Sequence, residues 1–402
     1  MSSAEHSVRR LKLRTDRAIS QAFARLAGDP CARAAFSELL RVVRLKAPRL
    51  LHAPEDDGCH PGIEALANLA CHWHRHLRTA ESWPGSSASW RGTVNSLAQH
   101  LVSTYPVSAF LSSAWCATDP YASSKRRWFM AHAGGARFRS LSLPMCMTSR
   151  MEHIFLSSRD HFGIEYAMRR AELLALGAEP ALADAVLATA PAVAFDHGDF
   201  WRTVWLFLIA NGASIDPAQV GPIIDFLHAI RHERVAVDTG AGIVMRDPPQ
   251  PQFSMKGRTF QSVLRLMEQW HRSLGLGSGG LSWTPSPFRP MVLEIAPDDP
   301  ESPPVFWEMR ELTTSAQLRA EGVALQHCVA SYSYSCWRGA WRIWSLRRRR
   351  DLKVRSILTV QVDPGRRTIV QARGMRNRRA TGKPLRLVQT WAARERLRLA
   401  LW

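Results

Sequence analysis

Acidic residues are scarce in this chain. Asp and Glu number 34 against 53 Lys and Arg in 402 residues, a formal charge of +19. Long apolar runs are also missing. No stretch reaches the roughly 18 apolar residues that a membrane-spanning helix needs. The longest candidates, around 186–195 and 204–210, suit buried helices, so no membrane partner is expected. The first ten residues, Met1 to Arg10, are not followed by an apolar core, which argues against a secretory leader. The seven cysteines are odd in number and irregular in spacing. That pattern fits reduced thiols in a cytoplasmic protein better than a disulfide framework. There is no C-x-x-C, no Walker A loop, no G-x-G-x-x-G and no G-x-S-x-G. Nucleotide hydrolysis and serine-hydrolase chemistry are therefore poorly supported, and no cofactor is expected.

What is present is an ordinary globular composition, 46% hydrophobic and 22% charged. That excludes global disorder and collagen-like repeats, and the length suggests two or three domains. The charge is concentrated. Residues 301–402 hold 21 Lys and Arg against 7 Asp and Glu, a net +14, and the other 300 residues carry only +5. A field of that density attracts polyanions, nucleic acid first among them. The bland alternative is a solubilising basic face.

Hydrophobic periodicity divides the chain into an α+β arrangement, with an all-helical N-terminal region before a small C-terminal domain. Residues 1–120 form a helical region without an assigned role. Helical patterns over 7–27, 33–50 and 62–78 lie within it, with a Ser/Trp/Gly-rich loop at 80–91. Residues 121–275 form a helical array in which 173–187 and 207–227 resemble each other. Residues 237–258 read as a long loop. A Gly/Pro-rich connection over 276–304 contains a short strand at Met291–Ile295. Residues 305–402 then form a basic α+β domain. Thr314 and Gln317 make a capping box, and Gly322 sits just past the helix it opens. Cys328, Tyr332 and Cys336 follow at i, i+4 and i+8 on a second helix. After Gly339 the period becomes two. Strands are expected at 341–346, 354–362 and 368–373, an antiparallel three-stranded meander flanked by helices on one face, with a last helix from about Leu385.

The C-terminal motifs resemble the PcfJ-like protein family. They are Glu321-Gly322, His327-Cys328-Val329 with Tyr332, Gly339, the run Ile343 to Arg347, Thr359 to Val362, and Gln371-Ala372-Arg373-Gly374 with Asn377. The likeness covers about 310–400. The helical stretch 147–177 also looks like the region that precedes this domain in proteobacterial members. The resemblance implies a bacterial conjugative plasmid or other mobile element as context, with other mobile-element proteins as possible partners. It implies no established reaction.

Several of these residues are candidates for chemistry. Gln371 and Arg373 share parity on one strand and point to one face. If His327, Cys328 and Tyr332 pack nearby, they and Asn377 would converge on a pocket able to hold a phosphate or a base. His327 is then a candidate general base, against a histidine satisfied by its surroundings. Cys328 is a candidate nucleophile, but its neighbour His327 points about 100° away on a helix, so a buried packing role is favoured. No carboxylate pair accompanies them, which argues against a two-metal nuclease. The basic candidates for nucleic-acid contact are Arg347, Arg348, Arg349, Arg350, Lys353, Arg355, Arg373, Arg376, Arg378, Arg379 and Lys383. Trp337, Trp341, Trp344 and Trp391 are interleaved with them, as in single-strand binders that stack bases. The opposing reading puts these tryptophans in the core.

Cys59, His60, Cys71, His72, His74 and His76 have residue types that suit zinc. Only His72 and His76 would share a helix face, so an exposed face is preferred and no metal is expected. Three function classes remain: a nucleic-acid-binding accessory, an enzyme on nucleic acid or nucleotide using His327, Arg347, Gln371 and Asn377, and a protein-interaction module. Convergence of His327, Arg347 and Gln371 on one pocket would favour the enzyme.

Overall fold

The computed structural model describes residues 15–52, 60–86, 89–238, 243–276, 281–295, 304–327, 329–351 and 353–399. The chain divides into two compact units between Ala175 and Leu176. The division falls inside the stretch 121–275, so the later helices are grouped with the C-terminal sheet. No helix among the described residues is long and apolar enough to cross a membrane.

The first unit is helical. Helix α1 covers 15–25 and is followed by α2 (Pro30–Lys46), α3 (Pro61–Cys71), α4 (Trp90–Val102), α5 (Ala122–Ala133), α6 (Ser149–Leu156) and α7 (Ile164–Ala175). Asp29 both ends the first helix and caps the second. Its carboxylate accepts from the Ala32 N–H at 2.9 Å, and Pro30 supplies the fixed φ of a first helical position. The core gathers aromatic rings, with Phe155 edge-on to Phe110 at 5.0 Å and to Phe138 at 4.8 Å.

The histidines near residue 70 have structural partners here. His60 caps α3 by accepting from the Ile63 N–H, and its other nitrogen lies 3.0 Å from the Leu51 carbonyl. Helix α3 ends at Cys71, so His72 to His76 form a tight 3₁₀ turn rather than an exposed helix face. His72 and His76 are half-buried and sit 2.7 and 3.1 Å from the Asn68 and Leu69 carbonyls. Cys59 lies outside the described residues. Among the described residues no group of three His, Cys, Asp or Glu is placed to hold a metal ion.

The second unit opens with α8 (Pro180–Leu187), α9 (Ala190–Val193), α10 (Gly198–Ala210), α11 (Pro217–His232) and α12 (Phe260–Leu276). Between the last two, the expected loop contains a hairpin, β1 (Val235–Asp238) with β2 (Ile243–Arg246). Its strands come from two short β-branched runs, Val-Ala-Val and Ile-Val, which the Gly/Pro composition of the whole stretch obscures.

The expected three-stranded meander is a sheet of six strands. These are β3 (Met291–Ile295), β4 (Val305–Leu312), β5 (Arg342–Arg350), β6 (Lys353–Asp363), β7 (Thr368–Arg373) and β8 (Arg398–Leu399), adjacent in that order. All neighbours are antiparallel except β7 and β8. Helix α13 (Ser315–Leu325) and the short α14 (Ser333–Trp337) separate β4 from β5, and α15 (Gly382–Glu395) follows β7.

Helices cover both faces of the sheet rather than one. On one face Trp307, Met309, Trp344, Leu346, Leu358 and Val360 pack with Leu387, Val388 and Trp391 of α15. On the other, Leu312 and Ile343 pack with Leu318 of α13, Val329 and Cys336. The sequence alternates because each strand serves both: Ile343, Ser345 and Arg347 face α13, and Trp344 and Leu346 face α15.

Helix α13 starts as expected. Thr314 accepts from the Gln317 N–H at 3.1 Å, and Gln317 accepts from the Thr313 N–H at 2.7 Å. It does not stop at Gly322. It runs to Leu325, and Gln326 takes the left-handed conformation at φ 54°. Gly322 has a packing reason instead. The chain doubles back so closely that a Cβ there would meet the His327 carbonyl at 2.9 Å. Gly322→Ala should therefore lower the melting temperature, by about 1–3 kcal/mol of overpacking, even though Ala gains about 1 kcal/mol in helix propensity. A more stable variant in thermal denaturation would refute that reason.

Candidate functional site

The polar face of β5, β6 and β7 lies under α13. The register sets Ser345, Thr359 and Arg373 in one row, and Ile343, Gln361 and Gln371 in the next. Glu321 descends from α13 onto this face and is only 2% exposed. Thr359 Oγ1 donates to Glu321 Oε1 at 3.1 Å, and Ser356 Oγ donates to Oε2 at 2.8 Å. The Arg347 guanidinium lies 3.8 Å from Oε2, and its Nε donates to Ser345 Oγ at 3.1 Å.

His327 extends the line. Its Nε2 is 2.9 Å from Thr359 Oγ1. A hydroxyl has one proton, and Thr359 gives it to Glu321, so the imidazole carries its proton on Nε2 and donates. The result is a buried carboxylate–hydroxyl–imidazole chain. His327 follows the left-handed Gln326 and precedes a 3₁₀ turn, Val329–Tyr332. The sequence pattern places His327 at the mouth of the domain on the opening turn of a helix. It is instead 5% exposed, because the αL cap turns the chain back under α13.

Beyond His327 is a cavity of about 30 Å³, lined by His327, Tyr332, Thr359, Gln371, Arg373 and Asp225, among others. That volume has room for one or two water molecules. Asp225 comes from α11. Arg373 also reaches toward the helices, its Nη2 donating to the Ala188 carbonyl at 2.7 Å. Burial pulls the Arg373 pKa down, and Arg379 adds to that, whereas Asp225 and Tyr332 act against it.

The candidates thus separate. His327, Tyr332, Gln371 and Arg373 converge on one cavity. Arg347 does not line it and sits at the other end of the chain, on Glu321. Cys328 lies outside the described residues, as does the Asn377 side chain, whose backbone closes the 3₁₀ turn Met375–Asn377. Cys336 is fully buried, and burial pushes its thiol up to about 12, which makes it a packing residue. Glu321, Thr359, Ser345 and Asp225 were missed as site residues. For Thr359 and Ser345 a signal existed: polar residues at alternate strand positions, opposite an apolar set, mark a face that needs polar partners.

The basic residues separate as well. Arg349 is held by Glu308 at 2.9 Å and lies over the Phe306 ring at 4.3 Å. Arg376 donates to Gln326 Oε1 at 2.7 Å. Arg348, Arg350, Lys353, Arg355, Arg378, Arg379 and Lys383 are exposed. Arg348 stands directly across from Arg355, and Arg350 from Lys353. Strand alternation puts those four on one face of the β5–β6 hairpin, opposite Arg347 and Arg349. None of the four makes an ion pair among the described residues. Of the tryptophans, Trp344 and Trp391 are fully buried with ring centroids 4.6 Å apart, and Trp341 is half-buried.

Residues 308–385 match the PcfJ-like protein family. The match begins in β4, takes in α13 with Glu321 and the three strands carrying Thr359, Gln371 and Arg373, and ends in the first turn of α15. Asp225 lies outside the PcfJ-like segment, so part of the cavity wall is contributed by a helix that precedes it, and the Ala188 carbonyl that receives Arg373 lies outside it too. No curated protein and no solved structure matches the chain.

Proposed function

We propose that this protein binds nucleic acid through the exposed face of the β5–β6 hairpin, as an accessory of a bacterial mobile element. One observation carries the reading: two like-charge pairs, Arg348 with Arg355 and Arg350 with Lys353, stand directly across the hairpin. Such pairs are destabilising, so a fold that keeps them gains something else from them. Edge protection is the competing reason, since charged residues blunt free strand edges. It covers β6, whose first residues lie beyond the reach of β7. It does not cover β5, an interior strand paired on both sides. A polyanion explains both. The mobile-element role and any protein partners there come from the family resemblance.

The structure turns the reading into a contrast. The Arg348→Ala/Arg350→Ala variant should keep its stability and lose salt-dependent affinity, each lost phosphate contact reducing the log–log salt slope by about 1. Arg349→Ala should keep the slope and lose stability, because Arg349 is engaged with Glu308 and Phe306. Fluorescence anisotropy against salt, with thermal denaturation, checks both. Unchanged affinity in the first variant would leave a solvated basic face.

A second reading, an enzyme acting on nucleic acid or nucleotide through a His327, Arg347, Gln371 and Asn377 pocket, is supported only in part: His327 and Gln371 share one cavity with Tyr332 and Arg373, and Arg347 does not line it. The carboxylate–hydroxyl–imidazole chain suits a general base oriented by a third group. The cavity admits water only, so a substrate would have to part α11 from the sheet. Loss of turnover in His327→Asn with stability retained would support the enzyme. Loss of both together assigns the layer to structure.

A further inference from the structure

We infer that the nucleic acid this hairpin takes is a duplex, held by its sugar–phosphate backbone without readout of base sequence; this rests on the reading of the hairpin given above. Three observations lead there. The first is that, among the described residues, this face carries no exposed aromatic platform. On the face that carries Arg348, the neighbouring aromatic ring is Trp307, cross-strand partner of Arg348, and it is only 6% exposed. Trp344 and Trp391 are in the core, and Phe306 lies on the other face, beneath Arg349. Trp337 is exposed, but it precedes the opposite end of β5. Single-strand binders gain much of their affinity from base–aromatic stacking, and none of the described residues on this face supplies it.

The second observation is width. Ile295, Val305, Arg350 and Lys353 form one row across β3, β4, β5 and β6. Four backbones at strand spacing span about 14 Å. The major groove is about 12 Å wide and admits a helix or a two-stranded ribbon, so this sheet cannot enter it face-on. Its cations meet phosphates at the groove rims, not base edges.

The third is the disposition of charge. Arg348 and Arg350 are two residues apart on β5 and repeat across β6 as Arg355 and Lys353. Lys383, in the first turn of α15, lies 5.8 Å above the Trp307 ring and so extends the same field. A compact grid of cations gains most from the ligand with the densest phosphates, and a duplex carries twice the charge of one strand per unit length.

The test uses the full chain with a labelled duplex of about 20 base pairs, a scrambled duplex of equal composition, and one strand alone. With four phosphates neutralised, duplex affinity should fall about 150-fold between 50 and 200 mM salt, a slope near −3.6. The single strand should bind more weakly at each salt concentration, and the scrambled duplex should match the first. The Arg348→Lys/Arg355→Lys variant should keep the slope, since lysine keeps the charge and loses only the planar fork. Tighter single-strand binding, a tenfold loss on scrambling, or a tenfold loss in the lysine variant overturns this inference and leaves the hairpin as the binding face. Wild-type affinity in a folded variant with Arg348, Arg350, Lys353 and Arg355 all changed to Ala overturns the hairpin reading as well.

Discussion

Glu321→Ala should lower the stability of the C-terminal unit by about 3 kcal/mol. The side chain is almost wholly buried, and three groups depend on it: the Thr359 and Ser356 hydroxyls and the Arg347 guanidinium. Removing one member of a buried hydrogen-bonded set strands the others, at about 1–3 kcal/mol for each group that finds no new partner. Arg347 is 22% exposed in its side chain and can turn to water, so its share is the smallest. Glu321→Gln keeps the volume and one acceptor, and should cost less than half as much. Thr359→Val cuts the link to His327 without removing the carboxylate and tests the middle of the chain. Urea denaturation of the three variants orders them. If Glu321→Ala costs less than about 0.5 kcal/mol, the layer is not what holds α13 to the sheet.

How much of this could be read in advance depends on the kind of signal. The helices of both units follow hydrophobic period and caps, and those are local: Thr314 with Gln317 is visible as a short pattern, and Thr314 does cap α13. The strands β5 to β7 are visible because period-two alternation is also local. Strand β4 was not seen. Its residues Val-Phe-Trp-Glu-Met-Arg-Glu-Leu carry three charges in eight, and its partners are β3, across a gap, and β5, some thirty residues on. Nothing within the segment announces that pairing. Strand β8, two residues paired in parallel with β7, is a tertiary consequence of where α15 ends.

The site shows the same division. The shared parity of Gln371 and Arg373 is a property of one strand, and both do line the cavity. The burial of His327 is not a local property. It comes from the left-handed Gln326, a residue type that seldom announces such a turn, and from Gly322, which the sequence pattern treats as a stop and which is in fact a point of close approach. The sequence carries charge as a total and does not divide it between faces. In the run Arg347 to Arg350, alternate residues point to opposite faces. Two of them are engaged with Glu321 and Glu308, and Arg348 and Arg350 make no ion pair among the described residues.

Trp344→Ala should be about as damaging as any single change in the C-terminal unit, about 3–5 kcal/mol. The ring is fully buried on β5 and packs on Trp391 at 4.6 Å, an aromatic pair worth about 0.5–1.5 kcal/mol beyond its area. Trp344→Phe is the informative companion. The indole Nε1–H is buried with no hydrogen-bond partner among the described residues, so the smaller ring loses volume but also removes that donor. The two effects oppose each other, and the net cost should be about 1 kcal/mol. That variant remains folded, which separates the two roles the sequence allows for this tryptophan. A base-stacking residue would lose affinity for nucleic acid in Trp344→Phe with little change in stability. A core residue loses stability and leaves affinity and its salt slope untouched, and with the ring buried beneath α15 this is the expected result.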